Sequence, residues 1–575
     1  MNKIIKFIKR YWAEILLFGV IFAVFMIDLA PNMTWINTNS DGVHLTYAAK
    51  YLYPAHKGSA PVYLLLGHLM LSFPAGSDFW RMGLLSAIPA AISAVFVYLI
   101  VKKLIPENKN KKWYAIIGSL VYGSSALIIS QATIVKYYSL VTMIGLLAYL
   151  LCLNKKWIWV SICLGVAGAI HPIALFFIVP LFIKYKELRR WKNIAISASF
   201  VLFYLYVPIT NRPPYMWEES SQGIFGFIKD TFSTAGMLSG TLSIFELPKR
   251  IFDTIGILGI SWGLGIVGIG IYIWKAVKNK VNKWYKDVVL WIVITSIVYF
   301  VIDLAPQTYV YMLPAIAFGC ILIAIGLSKV RKELAFATVG IAIIMLGFNA
   351  NYFDIGRTLD KNLEATEFYT VELNKVPNGG VFLAKQAWEW AMVYLYNKEN
   401  GRNIIPIVTG NLSNVDYMKL VQGMGINLTI PTHLDSLHSL DVQNEVIDSI
   451  IKNNSAVWIS YGTDEKDYGG AITEINNHNP KEVEFAENDL IISEISIEKA
   501  SSPTIKWIPN NPYDFITGRI EVIQWRLETL SNYNCLMFLM LGFIGFAGVW
   551  FFQKIVLEKK EWKMSNVKEK IKEIK

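Results

Sequence analysis

Charge is scarce in this sequence: 17% of its 575 residues are Asp, Glu, Lys or Arg, against about 25% in an ordinary soluble chain. Cysteine is scarcer. Cys152, Cys163, Cys320 and Cys535 all fall within or at the edge of apolar segments, with no CxxC pair and no metal-ligand spacing. That argues against both a disulfide framework and a structural zinc site. There is no glycine-rich loop of the kind that cradles nucleotide phosphates, and no RNA- or DNA-binding motif. The net charge of +11 therefore needs another explanation.

What the chain has is apolar length. Hydrophobic residues make up 54%, and they come in blocks long enough to cross a bilayer, which takes about 20 residues per helix. The blocks fall near 12–30, 80–104, 113–131, 135–153, 157–170, 172–185, 192–209, 251–275, 287–304, 308–328, 333–351 and 533–552. The first lacks a small-residue cleavage site and is followed by many similar segments, so it reads as a span and not as a signal peptide. The fifth and sixth are short, and one helix broken around His171-Pro172 is the alternative.

The charge map gives the blocks a direction. Residues 352–530 carry 25 Asp+Glu and 14 Lys+Arg, a net of −11, which leaves +22 on the remainder. That positive charge sits in short clusters between apolar blocks, from Lys3/Lys6/Lys9/Arg10 to the tail Lys554–Lys575. With twelve spans, every basic cluster lands in the cytoplasm, as membrane topology favours. The acidic region 352–530 then lands outside, with the loops 31–79 and 210–250. Merging 157–185 into one span would flip every later segment and break the rule.

The expectation is a polytopic α-helical membrane protein with about twelve transmembrane helices and an extracytoplasmic α/β domain. Residues 1–351 form the membrane module with its first outer loop at 31–79. Residues 352–530 form the α/β domain, and 531–575 the last span and a cytoplasmic tail. Strand-like apolar runs stand at Gly380–Ala384, Ile404–Val408 and Ala456–Ile459, with helical patterns such as Trp388–Tyr396 and Val415–Gln422 between them.

The first outer loop is the most informative stretch. Three of the seven histidines fall in it, His44, His56 and His68, and Asp41 is the only carboxylate between Asp28 and Asp78. Loops of nearly 50 residues are uncommon in compact folds and are disproportionately functional. A carboxylate facing membrane-embedded helices can act as a general base when it reaches a hydroxyl; the competing reading of Ser-Asp-Gly is a turn. Lys136, at the outer end of a span, is either functional or a snorkelling interfacial lysine. His68 and His171 read as structural, and Asp28 as helix-end solvation before a proline.

Leu29-Ala-Pro, Trp35, Asp41-Gly-x-x-Leu45, Ala48-Ala49, Ala55-His56, Gly58, Pro61-x-Tyr63 and Leu66-Gly67 together resemble the first-loop signature of a GT-C-type family. That family has a long prokaryotic branch and a eukaryotic branch of protein O-mannosyltransferases. Trp80-Arg-Met-x-Leu-Leu-Ser86-Ala87, Gln131-Ala132 with Tyr138-x-Leu140, and His171-Pro172 also resemble it, as do Pro377-x-Gly-Gly-Val-Phe-Leu, Tyr394-Leu-Tyr and Gly401-Arg402-Asn in the acidic region. Three positions depart from the pattern. His44 stands where an acidic residue is usual, Lys57-Gly58-Ser59 replaces Pro-Pro-Gly after His56, and Lys136 stands where an acidic residue precedes the tyrosine.

The resemblance implies an inverting glycosyltransferase that uses a polyprenyl-phosphate sugar, with Asp41 as the general base. The acceptor would be a hydroxyl on a protein, glycolipid or polysaccharide. The leaving group is a lipid phosphate, which asks for positive charge but not for a nucleotide site; such transferases generally need no metal or other cofactor. Lys136 would bind that phosphate as a point charge, with Lys57, Arg81 and Arg212 as alternates. His44 and His56 would bind sugar or phosphate, or hold Asp41. Tyr309, Tyr311 and Pro314 resemble a late-span GT-C motif, though aromatic belts place tyrosines there as well. The alternative readings are a transporter or flippase for a lipid-linked polar substrate, and an inactive scaffold on the same fold.

Overall fold

A computed structural model describes residues 2–34, 40–52, 55, 60–106, 110–205, 247–278, 288–302, 308–349, 368–384, 387–431, 439–454, 456–462, 484–486, 490–494 and 506–508. The segments carrying His56, Lys57, Arg212, Asp303, Cys535 and the expected last span 533–552 lie outside the described residues.

The described part is mainly helical. The first helices are α1 (Asn2–Asp28), α2 (Ser40–Tyr51), α3 (Pro61–Leu71), α4 (Asp78–Leu104), α5 (Lys111–Gly123), α6 (Ala126–Ala132), α7 (Tyr138–Leu153), α8 (Trp157–Ile170), α9 (Leu175–Lys184) and α10 (Trp191–Ser199). After the next described stretch begins come α11 (Leu247–Trp262), α12 (Ile266–Lys278), α13 (Val288–Ile302), α14 (Leu313–Leu327) and α15 (Lys332–Asn349).

Among the described residues, four segments are long and apolar enough to cross a membrane: Lys9–Asp28, Asp78–Leu104, Leu247–Lys275 and Tyr309–Leu327. A fifth is added if α5 and α6, bent by 61° at their junction, are one broken span. The other expected spans within the described residues are shorter apolar helices, apart from α15 with its 18 residues. The break foreseen at His171-Pro172 is there: α8 ends at Ile170 and a 3-10 turn Pro172–Ala174 leads into α9.

Local chemistry sets these helices. Ser77 caps α4, its hydroxyl accepting from the Trp80 amide and donating to the carbonyl of Pro31. Asp78 stands in the first turn of α4, Lys102 and Lys103 in its last, each at the end its charge favours. On α1, Trp12, Leu16, Val20, Val24 and Ile27 are exposed, while Ala13, Leu17, Ile21 and Phe25 are buried. One face packs on the bundle and the other presents an apolar stripe, as lipid contact requires. Between helices, small residues permit close approach. A methyl added at Gly145 of α7 would stand 2.7 Å from the Phe177 ring, and one at Gly118 of α5 would stand 2.9 Å from Ala324.

The acidic region is α/β as expected. Its longer described helices are α16 (Ala387–Asn400), α17 (Val415–Gly423) and α18 (Ser439–Asn453); its described strands are β1 (Val381–Ala384), β2 (Ile405–Val408), β3 (Val457–Gly462), β4 (Glu484–Ala486), β5 (Leu490–Glu494) and β6 (Lys506–Ile508). One sheet runs β2-β1-β3-β5, and β4 pairs with β6. β1 pairs in parallel with β2, Val381 opposite Ile405, and with β3, Val381 opposite Val457; β5 is antiparallel to β3. Parallel neighbours need a crossover, and α16 supplies it between β1 and β2.

The two-residue period of a strand divides β1 between two cores. Val381 and Leu383 join Ile407, Tyr417, Val421, Val446 and Ile450 beneath α17 and α18. Phe382 and Ala384 join the large core that runs through the membrane helices, together with Trp390, Ala391, Met392, Val393, Leu395 and Tyr396 of α16. α16 is thus buried between its own sheet and α2, and the α/β unit sits directly on the helix that carries Asp41.

Candidate active site

Asp41 stands in the first turn of α2 and Lys50 in its last, each where the helix dipole stabilises its charge. Lys136 Nζ donates to Asp41 Oδ2 at 2.6 Å. The lysine side chain is 2% exposed and the aspartate 38%, so the ammonium is the buried partner and the carboxylate keeps an open face.

Lys136 lies in the turn between α6 and α7, and four hydrogen bonds fix that turn. The Lys136 amide donates to Ser86 Oγ at 3.1 Å, and the same hydroxyl donates to the Lys136 carbonyl at 2.6 Å. Ala30 N–H donates to the Thr133 carbonyl at 2.9 Å. Thr133 Oγ1 donates to Asp28 Oδ2 at 3.3 Å. The end of α1 and Ser86 in the first third of α4 therefore hold the backbone from which Lys136 projects inward. A snorkelling lysine would carry its head to water; this one carries it to Asp41. Asp28, expected only to solvate a helix end, is buried and braces the same turn.

The residues after Lys136 begin an aromatic cluster. The Tyr137 ring stacks on His171, centroids 4.7 Å apart at 24°, and Tyr311 stacks on His171 at 5.9 Å and 22°. Tyr138 meets His171 edge-on at 5.4 Å, Tyr63 meets Tyr137 at 5.8 Å, and Tyr299 meets Tyr311 at 5.4 Å. The phenols of Tyr137 and Tyr138 lie within electrostatic reach of Asp41 and of Tyr311. Segments distant in sequence, α2, α3, the α6–α7 turn, the α8–α9 break and the 3-10 turn Thr308–Met312, thus converge on one place.

On the other flank, α2 packs on α16. The His44 ring is buried against Trp390 with centroids 5.1 Å apart, and Tyr47 meets Trp390 at 6.1 Å and Tyr394 at 4.9 Å. Lys50 pairs with Asp78 at 2.7 Å and also with Glu399. Burial opposes the charged form of Lys50, but the hydrogen bonds and charges of Asp78 and Glu399 outweigh it and raise the ammonium from 10.5 to about 12. Tyr369 also donates to Glu399, and burial with that carboxylate pushes its phenol well up.

Of the residues singled out from sequence, Asp41 and Lys136 are brought together. His44 lies in the first half of α2 but faces Trp390. Tyr309 is packed against the core at the start of the α14 region, and Tyr311, two residues on, is the tyrosine that stacks on His171. Arg81, an alternate for phosphate, is engaged by Asp78 and by the carbonyls of Leu71 and Phe73. His68 Nδ1 lies 2.9 Å from the Ala49 carbonyl, a structural role as expected. His56, Lys57 and Arg212 lie outside the described residues; Leu52 and Ala60, both at positive φ (56° and 33°), flank the first two. Among the described residues no three His, Cys, Asp or Glu side chains cluster as metal ligands. Ser86, Tyr137 and Trp390 were not foreseen as site residues.

Fold and site together define a polytopic membrane protein in which a buried lysine meets a partly open carboxylate beside a cluster of aromatic side chains. Residues 41–195 match the family model of the protein O-mannosyl-transferase TMEM260 N-terminal domain. The matched stretch opens at Asp41 and takes in Lys136 and His171. The crystal structure of ArnT from Cupriavidus metallidurans bound to undecaprenyl phosphate is similar at a TM-score of 0.53 and 11% identity, over 85% of this chain and 99% of that one. ArnT from the same organism in the apo state is similar at 0.47 and 10%, over 72% and 95%. No curated protein matches in sequence. The chain is a membrane protein that is similar to the protein O-mannosyl-transferase TMEM260 N-terminal domain in residues 41–195 and to ArnT in fold.

Proposed function

We propose that the protein transfers a sugar from a polyprenyl-phosphate donor to a hydroxyl acceptor on the outer face of the membrane, with inversion at the anomeric carbon. The observation that carries this reading is the Lys136–Asp41 pair. It sets a cation suited to a lipid phosphate beside the carboxylate of the family-matched segment. The crystal structure of ArnT bound to undecaprenyl phosphate supports a lipid-phosphate partner. In this reading the α/β unit and the first loop lie outside, and the membrane is crossed twelve times.

Each group has a part in the step. The arriving phosphate competes with Asp41 for the Lys136 ammonium, which draws the cation toward the leaving group and frees the carboxylate. Asp41 then takes the proton of the acceptor hydroxyl. The hydroxyl oxygen bonds to the anomeric carbon as the bond from that carbon to the phosphate oxygen breaks. The lipid phosphate leaves with the electron pair, its charge held by Lys136 in a site of low dielectric, where such stabilisation is strongest. One displacement inverts the centre. Asp41 is open enough to meet an acceptor, and Lys136 is buried enough to be worth a great deal to an anion.

The test is direct. Purified protein in proteoliposomes receives radiolabelled polyprenyl-phosphate mannose, or other polyprenyl-phosphate hexoses, with peptide, glycolipid and polysaccharide acceptors. Label should pass to an acceptor with release of polyprenyl phosphate. Movement of labelled lipid between leaflets without sugar transfer would replace this reading with a transporter.

A further inference from the structure

Gly67 is buried in the interior of α3, and it is not among the glycines at positive φ. Glycine is unfavourable inside a helix, so what it offers here is space, and the space is fully used. A methyl group added at Gly67 would stand 2.8 Å from Cβ of Ala49 on α2 and 2.8 Å from Sδ and Cε of Met82 on α4. These two neighbours differ. The Met82 thioether ends a flexible chain and can swing aside. The Ala49 methyl has no other rotamer to take, so α2 itself would have to move. A second tie between the two helices falls on the same residue. Nδ1 of His68 lies 2.9 Å from the Ala49 carbonyl, and a carbonyl can only accept, so the ring donates. That carbonyl belongs to the last turn of α2, where a helix leaves its acceptors without partners of its own.

We infer that Gly67 is a positioning residue for the Asp41–Lys136 pair: its missing side chain lets α3 touch α2 and α4 at one level, and so sets the distance between the carboxylate and the ammonium. α2 is a single helix with Asp41 in its first turn, so a shift at Ala49 is carried to the carboxylate. On α4, Met82 stands one turn before Ser86, whose hydroxyl makes both hydrogen bonds to the Lys136 backbone. On α3, Tyr63 stands one turn before Gly67 and meets the ring of Tyr137, the residue after Lys136. α3 therefore contacts the helix that carries the carboxylate and also the groups around the lysine backbone. Relieving the 2.8 Å approach to an ordinary carbon–carbon contact needs a shift of about 1 Å. The pair stands at 2.6 Å, and a lengthening on that scale takes it out of hydrogen-bond range. The kinetic consequence rests on the transferase reading above; the consequence for the pair does not.

Gly67→Ala and the double variant Gly67→Ala/Ala49→Gly, which moves the methyl from α2 to α3, separate positioning from packing. Gly118→Ala is the control. It adds a methyl 2.9 Å from Ala324, beside Val101 near the C-terminal end of α4, whereas Ser86 stands in the first third of that helix. Two quantities should be measured on the full chain: steady-state transfer from polyprenyl-phosphate mannose, and the coupling between Asp41→Asn and Lys136→Met in SDS-induced unfolding. Gly67→Ala should lower kcat about ten- to a hundredfold per folded molecule, the scale of a 1 Å misplacement. Its KM for the donor should stay within a few-fold of wild type, and the coupling should weaken. The double variant should bring kcat to within a few-fold of wild type and restore the coupling, and it decides the matter if Gly67→Ala alone does not fold. Gly118→Ala should unfold more easily with kcat unchanged. Unchanged kcat and coupling in Gly67→Ala would overturn the assignment. So would a double variant that folds yet stays slow, or a Gly118→Ala protein as slow as Gly67→Ala. Wild-type protein that transfers no sugar would remove the transferase reading instead, and the coupling would then decide the role of Gly67 by itself.

Discussion

The Lys136–Asp41 pair makes a quantitative prediction about stability. Two unit charges 2.6 Å apart attract by about 6 kcal/mol at an effective dielectric of ~20, and desolvation of the buried lysine cancels much of that. The partners differ in what they leave behind. Asp41→Asn strands a buried ammonium but keeps a carbonyl oxygen for it, which should cost about 2 kcal/mol. Lys136→Met keeps the apolar stem and leaves a carboxylate that is already partly open to solvent, which should cost about 1 kcal/mol. The double variant has no buried ammonium left to strand and should also cost about 1 kcal/mol, so the two substitutions should couple by about 2 kcal/mol. SDS-induced unfolding in mixed micelles, followed by circular dichroism, would measure all four corners of the cycle. Additivity within about 0.4 kcal/mol would mean that the pair contributes nothing, and would refute the reasoning that makes Lys136 a buried cation held by Asp41.

Lys50 titrates in the opposite sense to an acid-sensitive carboxylate. Its folded value of about 12 lies above its ordinary 10.5, so its contribution is complete below 10.5 and lost as pH rises through about 12. The stability gap between wild type and Lys50→Gln in denaturant titrations should therefore be the same at pH 7 and pH 9 and shrink by pH 12; a gap that changes between 7 and 9 would point to another group. Trp390→Ala should empty the contact between α16 and α2, costing about 3–5 kcal/mol in unfolding, and should slow sugar transfer because the Asp41 helix loses its backing. Trp390→Phe should restore most of both, and transfer unaffected by the alanine variant would mean that α16 does not position α2.

The fold was legible where one physical signal acts alone. The apolar runs at Gly380–Ala384, Ile404–Val408 and Ala456–Ile459 became the three parallel strands of the sheet, and Trp388–Tyr396 fell inside α16, because period and length suffice there. Helix lengths in the membrane were less legible. Apolar composition marks a block but not where it bends, as the 61° junction of α5 and α6 illustrates. In the site, Asp41 and Lys136 stood out as isolated charges near apolar spans, yet at a sequence separation of 95 nothing signals their contact. The aromatic cluster was hidden for a different reason. Tyrosines at span ends are expected at any membrane interface, so nothing in the sequence distinguishes Tyr311, which stacks on His171, from Tyr309. Trp390 read as part of a helical pattern; only packing shows that it backs the Asp41 helix through His44 and Tyr47.

The most direct measurement is single-turnover sugar transfer from a polyprenyl-phosphate mannose by wild type and Asp41→Asn, with donor binding measured on the same preparations. Removal of a general base should slow transfer by about 10²–10⁴-fold while donor affinity stays within a few-fold of wild type, since Lys136 remains in place. Equal transfer rates in the two proteins, at equal donor occupancy, would contradict the assignment of Asp41 as the base.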